Sequence, residues 1–423
     1  MLESTRTMIP ANQASVPPAF RQLGQCVAAL VLAASTSAQD IISSVPREPA
    51  VAPVLRELQP PASAAQPPAP PETPFKFGPV VVRPNLSFSY TNAEGLPTQD
   101  GRRVASEIFT TAAGLSVDLG EAWTLAYNPS WRNYTARAMQ DSFDQSASLN
   151  GALAFRDWGF QISESYSQAT PTLVETGQQT KQESWVSSLS TSYSFNPGVQ
   201  LHASAGMNET YTDIGADMRS WSSDISLNLI FSERLSLNLG PSFTYNEIVD
   251  APDMYDEGYQ ARLNWSPTNR LTLGVNFGMQ YSHSRSSTGI DLSDPVLNFT
   301  LGYQPFPTTS ISVTASRTVE PSYFGDQVTD TLRWSVGLNQ RLFGGLYFSA
   351  NYAPYDAKYT AINSALAAPG RKDAVKSFNA RLATQLFGRL MVAGTYAQTD
   401  NESTIGAFSF STKQYGVALS YSY

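Results

Sequence analysis

The stretch YQARLNWSPTNRLTLGVNFGMQY, residues 259–281, decides the fold. In its second arm Leu271, Leu273, Val275, Phe277, Met279 and Tyr281 alternate with Thr272, Gly274, Asn276, Gly278, Gln280 and, one residue further, Ser282. In its first arm Tyr259, Ala261, Leu263 and Trp265 alternate with Gln260, Arg262 and Asn264, and Ser266-Pro267-Thr268-Asn269-Arg270 turns the chain. Successive side chains on a strand point to opposite faces, so the stretch is a β-hairpin with one apolar face and one small, polar face. A soluble sandwich would also alternate. What separates the two is how often the hairpin recurs and what closes its ends.

Working outward, the same unit repeats from Phe75 to Tyr423. Short polar turns fall near Glu121, Asp157, Pro197, Glu233, Pro267, Pro307, Gly344 and Gly388, flanked by Phe155, Trp158, Phe195, Phe231, Trp265, Phe306, Phe343 and Phe387. Longer polar connections are centred near Gln99, Gln140, Gly177, Ile214, Asp253, Asp291, Gly325, Leu366 and Asn401. Together they join about 18 strands, with 16 or 20 as the neighbouring segmentations. The soft points are Glu164, a carboxylate in the apolar register, and Ile362 to Val375.

Each arm supplies roughly ten alternating residues, the length a tilted strand needs to cross a bilayer. The fold class is therefore all-β, a transmembrane antiparallel up-and-down β-barrel in a bacterial outer membrane, with the short turns periplasmic. Aromatic residues beside those turns form one interfacial girdle. Tyr90, Trp131, Tyr134, Tyr166, Tyr211, Tyr245, Tyr255, Tyr281, Tyr323 and Tyr355 are expected at the outer one. Tyr415, Val417, Leu419, Tyr421 and Tyr423 share a face of the last strand, a layout like the terminal signal read by the barrel-assembly machinery.

Composition agrees. Charged residues are 15% of the 423, against about 25% in soluble globular proteins. No apolar run reaches the roughly 18 residues of a membrane helix. The net charge of −8 argues against a nucleic-acid partner, and one cysteine, Cys26, excludes an internal disulfide framework. Residues 1–38 carry Arg6 and Arg21 ahead of the apolar run Val27–Ala34 and small residues before Gln39, as a secretory signal does. Residues 39–74 form a proline- and alanine-rich periplasmic linker, and 75–423 the barrel.

Parity then assigns the lumen. Arg132, Arg156, Arg262, Arg333, Arg341 and Arg381 are expected inside with Asp118, Asp224 and His202, among many asparagines such as Asn150, Asn264 and Asn276. With this many strands the lumen is too wide for side chains to fill. A wetted wall with internal salt bridges accounts for each arginine singly, and a positive constriction favouring anionic solutes accounts for their surplus. A long inward-folding loop, expected at Ala361 to Val375, would narrow the channel. The acidic outer loops (Asp250, Asp253, Asp256 and Glu257; Asp291 and Asp294) are solvated charge that could meet divalent cations or lipopolysaccharide. The two histidines, His202 near the periplasmic end and His283 near the outer end, sit too far apart for one catalytic site. No cofactor, metal-ligand set or catalytic constellation is read.

The repeated pattern of an aromatic residue, a short turn and Leu-x-apolar (Phe231-Ser232-Glu233-Arg234-Leu235-Ser236-Leu237; Trp265 to Leu273; Phe387-Gly388-Arg389-Leu390) resembles outer-membrane β-barrel porins often associated with exopolysaccharide clusters. That resemblance implies a channel for hydrophilic solutes or for export of a secreted polysaccharide, with periplasmic export components as partners alongside outer-membrane lipid, and leaves an oligomer open. The competing reading is a structural or surface-interaction barrel with a plugged lumen and functional acidic loops. On either reading a charge at Val275 is expected to block assembly, and a charge at Asn276 to be tolerated and to alter conductance.

Overall fold

The computed structural model describes residues 75–98, 101–175, 177–249, 251–285, 292–322, 327–361 and 370–422. The expected signal and linker, Cys26, Tyr323, Asp250, Asp291 and the terminal Tyr423 lie outside these. The strands are β1 (Val80–Pro97), β2 (Arg103–Leu119), β3 (Trp123–Tyr134), β4 (Ser142–Phe155), β5 (Trp158–Ala169) and β6 (Gln182–Asn196). Next come β7 (Val199–Thr212), β8 (Met218–Ser232), β9 (Leu235–Ile248), β10 (Met254–Thr268), β11 (Leu271–Ser284) and β12 (Leu292–Phe306). The last six are β13 (Thr309–Pro321), β14 (Gln327–Arg341), β15 (Leu346–Tyr352 continuing as Tyr355–Ala361), β16 (Lys372–Leu386), β17 (Leu390–Ser403) and β18 (Phe410–Ser422). A short segment, Phe75–Phe77, adds to the foot of β1.

Every strand pairs antiparallel with its sequence neighbour, and β1 pairs with β18 from Asn85↔Ser422 to Glu94↔Lys413. The sheet is thus a closed 18-stranded barrel, in the middle of the expected range. Closure leaves no strand edge, which hydrocarbon requires because an unpaired backbone group there has no water to bond.

The faces follow the alternation. Along the outside Leu227, Leu239, Tyr259, Phe277, Leu297, Leu332, Leu382 and Val417 are exposed, an arrangement stable only against lipid. All eight aromatic residues expected beside the short turns are exposed as well, Phe343 and Phe387 most of all at 82% and 93%. The turns are tight: Phe387 and Gly388 both take positive φ (50° and 74°), the handedness that matches strand twist in a short hairpin.

Where proline interrupts a strand, the neighbouring strand adapts. Pro241 has no N–H to donate, and the β8–β9 register is unpaired between Asp224↔Ser242 and Leu227↔Leu239. A side chain at the adjacent Gly240 would lie 2.0 Å from the Ile225 carbonyl oxygen, so the backbones close in only because that residue is glycine. In β15, Ala353-Pro354 breaks the pairing without shifting the register.

Two expected outer-girdle aromatics face the other way. Tyr134 lies on the opposite parity from Trp131 and packs inward against Ile108 and Met139. The alternation continues through Pro354, so Tyr355 falls opposite Tyr352 and is buried inside. Glu164 keeps the register of its strand: it faces out, and Ser187 Oγ donates to its Oε2 at 2.5 Å.

The Tyr259–Tyr281 hairpin behaves as its pattern requires, with Leu263↔Val275 outside and Arg262↔Asn276 inside. Asn276, however, is only 5% exposed and donates from Nδ2 to Gln260 Oε1 at 3.1 Å, so a charge there is expected to cost stability instead of being tolerated. Its neighbours crowd it although it faces the lumen. Val275→Arg should destabilise the barrel by about 2–4 kcal/mol, read as loss of the fast-migrating folded band on unheated gels. Asn276→Asp should also lower the urea midpoint, whereas Asn264→Asp, at an exposed lumen position, should leave it unchanged.

Candidate functional site

The lumen is shaped by one outer connection. Between β5 and β6 the chain forms a small hairpin, Thr172–Leu173 paired with Gln178–Gln179, held by Gly177 N–H to Leu173 O and Thr180 N–H to Pro171 O, both 2.9 Å. Leu173, Val174, Glu175 and Thr180 are 3% exposed or less. A solvated loop would not bury these residues. This one is buried because it folds into the barrel.

Its tip meets the far wall, close to half the circumference away. Val174 joins an apolar cluster with Tyr355, Ala357, Tyr359, Val375 and Phe410, from β15, β16 and β18. Ser322 Oγ, just past β13, donates to Glu175 Oε1. Arg371, leading into β16, donates from Nη1 to Glu175 O at 2.7 Å and from Nε to Asp373 Oδ1 at 2.9 Å, with a second bond to Asp373 Oδ2. The guanidinium lies over Tyr359 and over Phe408, its Cζ 4.6 and 3.7 Å from the ring centroids. Arg371 and Asp373 are both buried, and a buried pair is expensive to break because either partner alone is left an uncompensated charge.

The base of the hairpin is fixed too. Thr170 N–H donates to Asp144 Oδ1 at 3.0 Å, and Asp144 pairs with Arg132 at 3.2 Å. Gln140 and Gln179 exchange hydrogen bonds of 2.9 and 3.1 Å. Lys181 donates to Glu183 at 2.7 Å, and that bond holds the lysine ammonium above its ordinary range.

The eight expected lumen positions now divide. Asp118 faces inward, pairing with Arg83 and accepting from Thr124 Oγ1 at 3.0 Å. Arg132 faces inward as part of the hairpin's base. Asp224 accepts from Ser204 Oγ and lies 3.6 Å from His202 Nδ1. Ser204 donates to the aspartate and not to the imidazole. Arg262 is exposed to the lumen opposite Asn276 and Asn238. Arg333 faces Tyr355 at 4.7 Å and Arg341 faces Tyr347 at 5.9 Å. Arg381 Nη2 contacts Met391 Sδ at 3.4 Å. Among the described residues Arg333, Arg341 and Arg381 have no carboxylate within salt-bridge reach.

Arg156 does not line the pore. It occupies the β4–β5 turn with φ 53° and lies over Phe155, 5.3 Å from the ring centroid. Strand parity cannot be carried through a turn where the backbone is left-handed. The narrowing loop expected at Ala361 to Val375 falls mostly outside the described residues, at 362–369, and an inward hairpin is formed by Thr172–Leu173 and Gln178–Gln179. Its sequence signal was Leu173-Val174, an apolar pair inside an otherwise polar connection. Arg83, Asp144, Arg371 and Asp373 were missed because each is defined by its partner.

His283 stacks on Tyr255 at 4.9 Å on the outer face, away from inward-facing His202. Among the described residues no group of three or more His, Cys, Asp or Glu gathers as a metal site would need.

The closed 18-strand wall, apolar outside and polar inside, defines a porin-like outer-membrane β-barrel. No family model and no curated protein matches the chain. Similar solved structures include Pseudomonas aeruginosa OpdK with vanillate (12% identity, TM-score 0.46, covering 81% of this chain and 99% of that one). Acinetobacter baumannii OccAB3 is similar at 10% identity and TM-score 0.46, with the same coverage. The siderophore receptor PirA of Pseudomonas aeruginosa is similar at 11% identity and TM-score 0.41, covering 80% of each chain. Likeness at this level transfers no activity to the chain.

Removing the guanidinium that holds the tip should free the hairpin. Arg371→Ala is expected to raise single-channel conductance and current noise, and to expose the 170–181 segment to protease in the folded barrel. Arg132→Ala, at the base, should have the smaller effect on conductance.

Proposed function

We propose that this barrel is a passive channel for small hydrophilic solutes that favours anions. The observation that carries the proposal is the set Arg333, Arg341 and Arg381, on strands β14 and β16 that flank β15, facing the lumen without carboxylate partners among the described residues. Arg381 is level with Ser349 and Asn339 through the β14–β15–β16 register, between Arg341 below and Arg333 above. The eight residue steps from Arg341 to Arg333 span about 27 Å of strand. An anion moving along this wall meets successive guanidinium groups, whose planar forks suit carboxylate and phosphate oxygens. The carboxylates Asp118, Asp144 and Asp373 are each paired with an arginine, so they oppose this field weakly.

The hairpin across the lumen favours small solutes over a polymer, and export of a polysaccharide finds no support among the described residues. A second reading has its own observation. The hairpin is anchored at tip and base, and a further apolar cluster of Ala93, Leu96, Ile108 and Met139 lies at the outer end of the β1–β2 wall. This arrangement also suits a plugged scaffold whose outer loops do the work.

Purified barrel in planar bilayers decides between them. The channel reading expects stable openings with a reversal potential on the chloride side in a KCl gradient, and Arg333→Gln/Arg341→Gln/Arg381→Gln should move that potential toward potassium. Cation preference in the unaltered protein would sink the anion proposal. Silence in both the unaltered protein and Arg371→Ala would favour the plugged scaffold.

A further inference from the structure

Glu164 is the charge that the outer alternation carries deepest into the lipid band. It stands six residues above Trp158 and two below Tyr166 on β5, between Leu149 of β4 and Ser187 of β6. Every other outward-facing charged side chain of the described strands is at least eight residues from the periplasmic end of its strand. Ser187 Oγ donates to Oε2, and Oε1 has no hydrogen-bond partner among the described residues. Hydrocarbon supplies none either.

The outward positions beside it are small or hydroxylated. Beyond Ser187 lie Thr191 on β6, Ala203 and Ala205 on β7 and Ser223 on β8, with Thr191↔Ala203 and Ala205↔Ser223 paired across the strands. The Thr191 Oγ1 and Ser223 Oγ hydroxyls also have no partner among the described residues. On β11, by contrast, the outward run is Leu271, Leu273, Val275, Phe277 and Met279. A lipid-facing wall needs only the second composition. A carboxylate and free hydroxyls beside alanines suit contact with another polypeptide, because small residues let two backbones approach and polar groups then bond across the gap.

We infer that the β5–β8 exterior is the contact face of a two-fold dimer, its occupant a second copy of this chain, with the axis along the membrane normal between β6 and β7. A two-fold contact pairs a patch with itself. This patch holds both halves of the bond it lacks, an acceptor at Glu164 on one side and a donor at Ser223 on the other. Their heights agree. Glu164, Ser187, Met207 and Trp221 share one register line, and strand tilt near 40° lowers the horizontal by about three to four residues over three strands, which brings it on β8 between Ser223 and Ile225. The outer girdle falls the same way, Trp221 standing one outward step below the line from Trp185 through Glu209 to Arg219. Sheets packed face to face stand about 10 Å apart, a gap that Glu164 opposite Ser223 of the second copy can close. The inference is independent of what passes through the lumen.

The test joins cross-linking in intact outer membranes to native mass spectrometry of the purified barrel. In a Cys26→Ser background, Ala205→Cys should be captured as a dimer by a short bismaleimide, and Phe277→Cys, on β11, should not. By mass the unaltered barrel should be dimeric, and Glu164→Leu/Ser223→Ala and Ala205→Trp should each weaken the dimer by at least about tenfold. Heat-modifiable migration confirms that the variants fold. A carboxylate that merely faces lipid gives the opposite result: Glu164→Leu stabilises a barrel that is monomeric before and after the change, and that outcome would overturn the proposal. Cross-linking at Phe277→Cys without cross-linking at Ala205→Cys would also overturn it, as would a dimer that survives both sets of replacements undiminished.

Discussion

Every other feature of this barrel depends on the β1–β18 seam. Ten register pairs from Asn85↔Ser422 to Glu94↔Lys413 close the sheet, and without them two strand edges would face hydrocarbon with unpaired backbone groups. Closure also fixes the sidedness of every residue, because one register slip would turn an apolar exterior into a polar one. The chain tolerates local damage to the ladder at Gly240-Pro241 and at Ala353-Pro354 because the parity on either side is preserved.

Inside the ring, two kinds of interaction share the same face. Polar alternation gives a wetted wall of asparagine, serine and threonine, yet near the outer ends the inward residues become apolar, as with Ile108, Val375 and Phe410. These residues form small cores into which outer connections fold. The 172–179 hairpin is the clearest instance: Val174 supplies apolar burial, and Arg371 satisfies the Glu175 carbonyl while neutralising Asp373. Such a segment is held by buried contacts at its tip and base and lies across the lumen.

The arginines illustrate how pairing changes the meaning of a charge. Arg132 and Arg371 act on neighbouring chain and contribute little field to the lumen. Arg333, Arg341 and Arg381 face aromatic rings or a thioether, which leave the cation's charge unneutralised. The unpaired cationic charge therefore belongs to the β14–β16 wall, and the proposed preference for anions rests on an asymmetry that composition does not contain: the whole chain is net acidic.

Alternation by itself determined much of this protein. It pointed to about 18 strands, and it set the lipid face of Leu271 to Tyr281, the outward side of the aromatic residues beside the short turns from Phe155 to Phe387, and the inward side of Asp118, Arg132, Asp224, Arg262, Arg333, Arg341 and Arg381. These are properties of a period of two, which any strand displays locally. Arg156 escapes the alternation because a turn has no parity, and Tyr134 and Tyr355 face inward because strand position, not aromatic character, sets the side. Only the tertiary structure decided that residues 172–179 cross the lumen, that Arg371 meets Glu175 across 196 positions of chain, and which arginines remain without carboxylates. Those contacts join strands on opposite walls of a closed ring, and the partner of each residue is set by the curvature of the whole sheet, which no local pattern encodes.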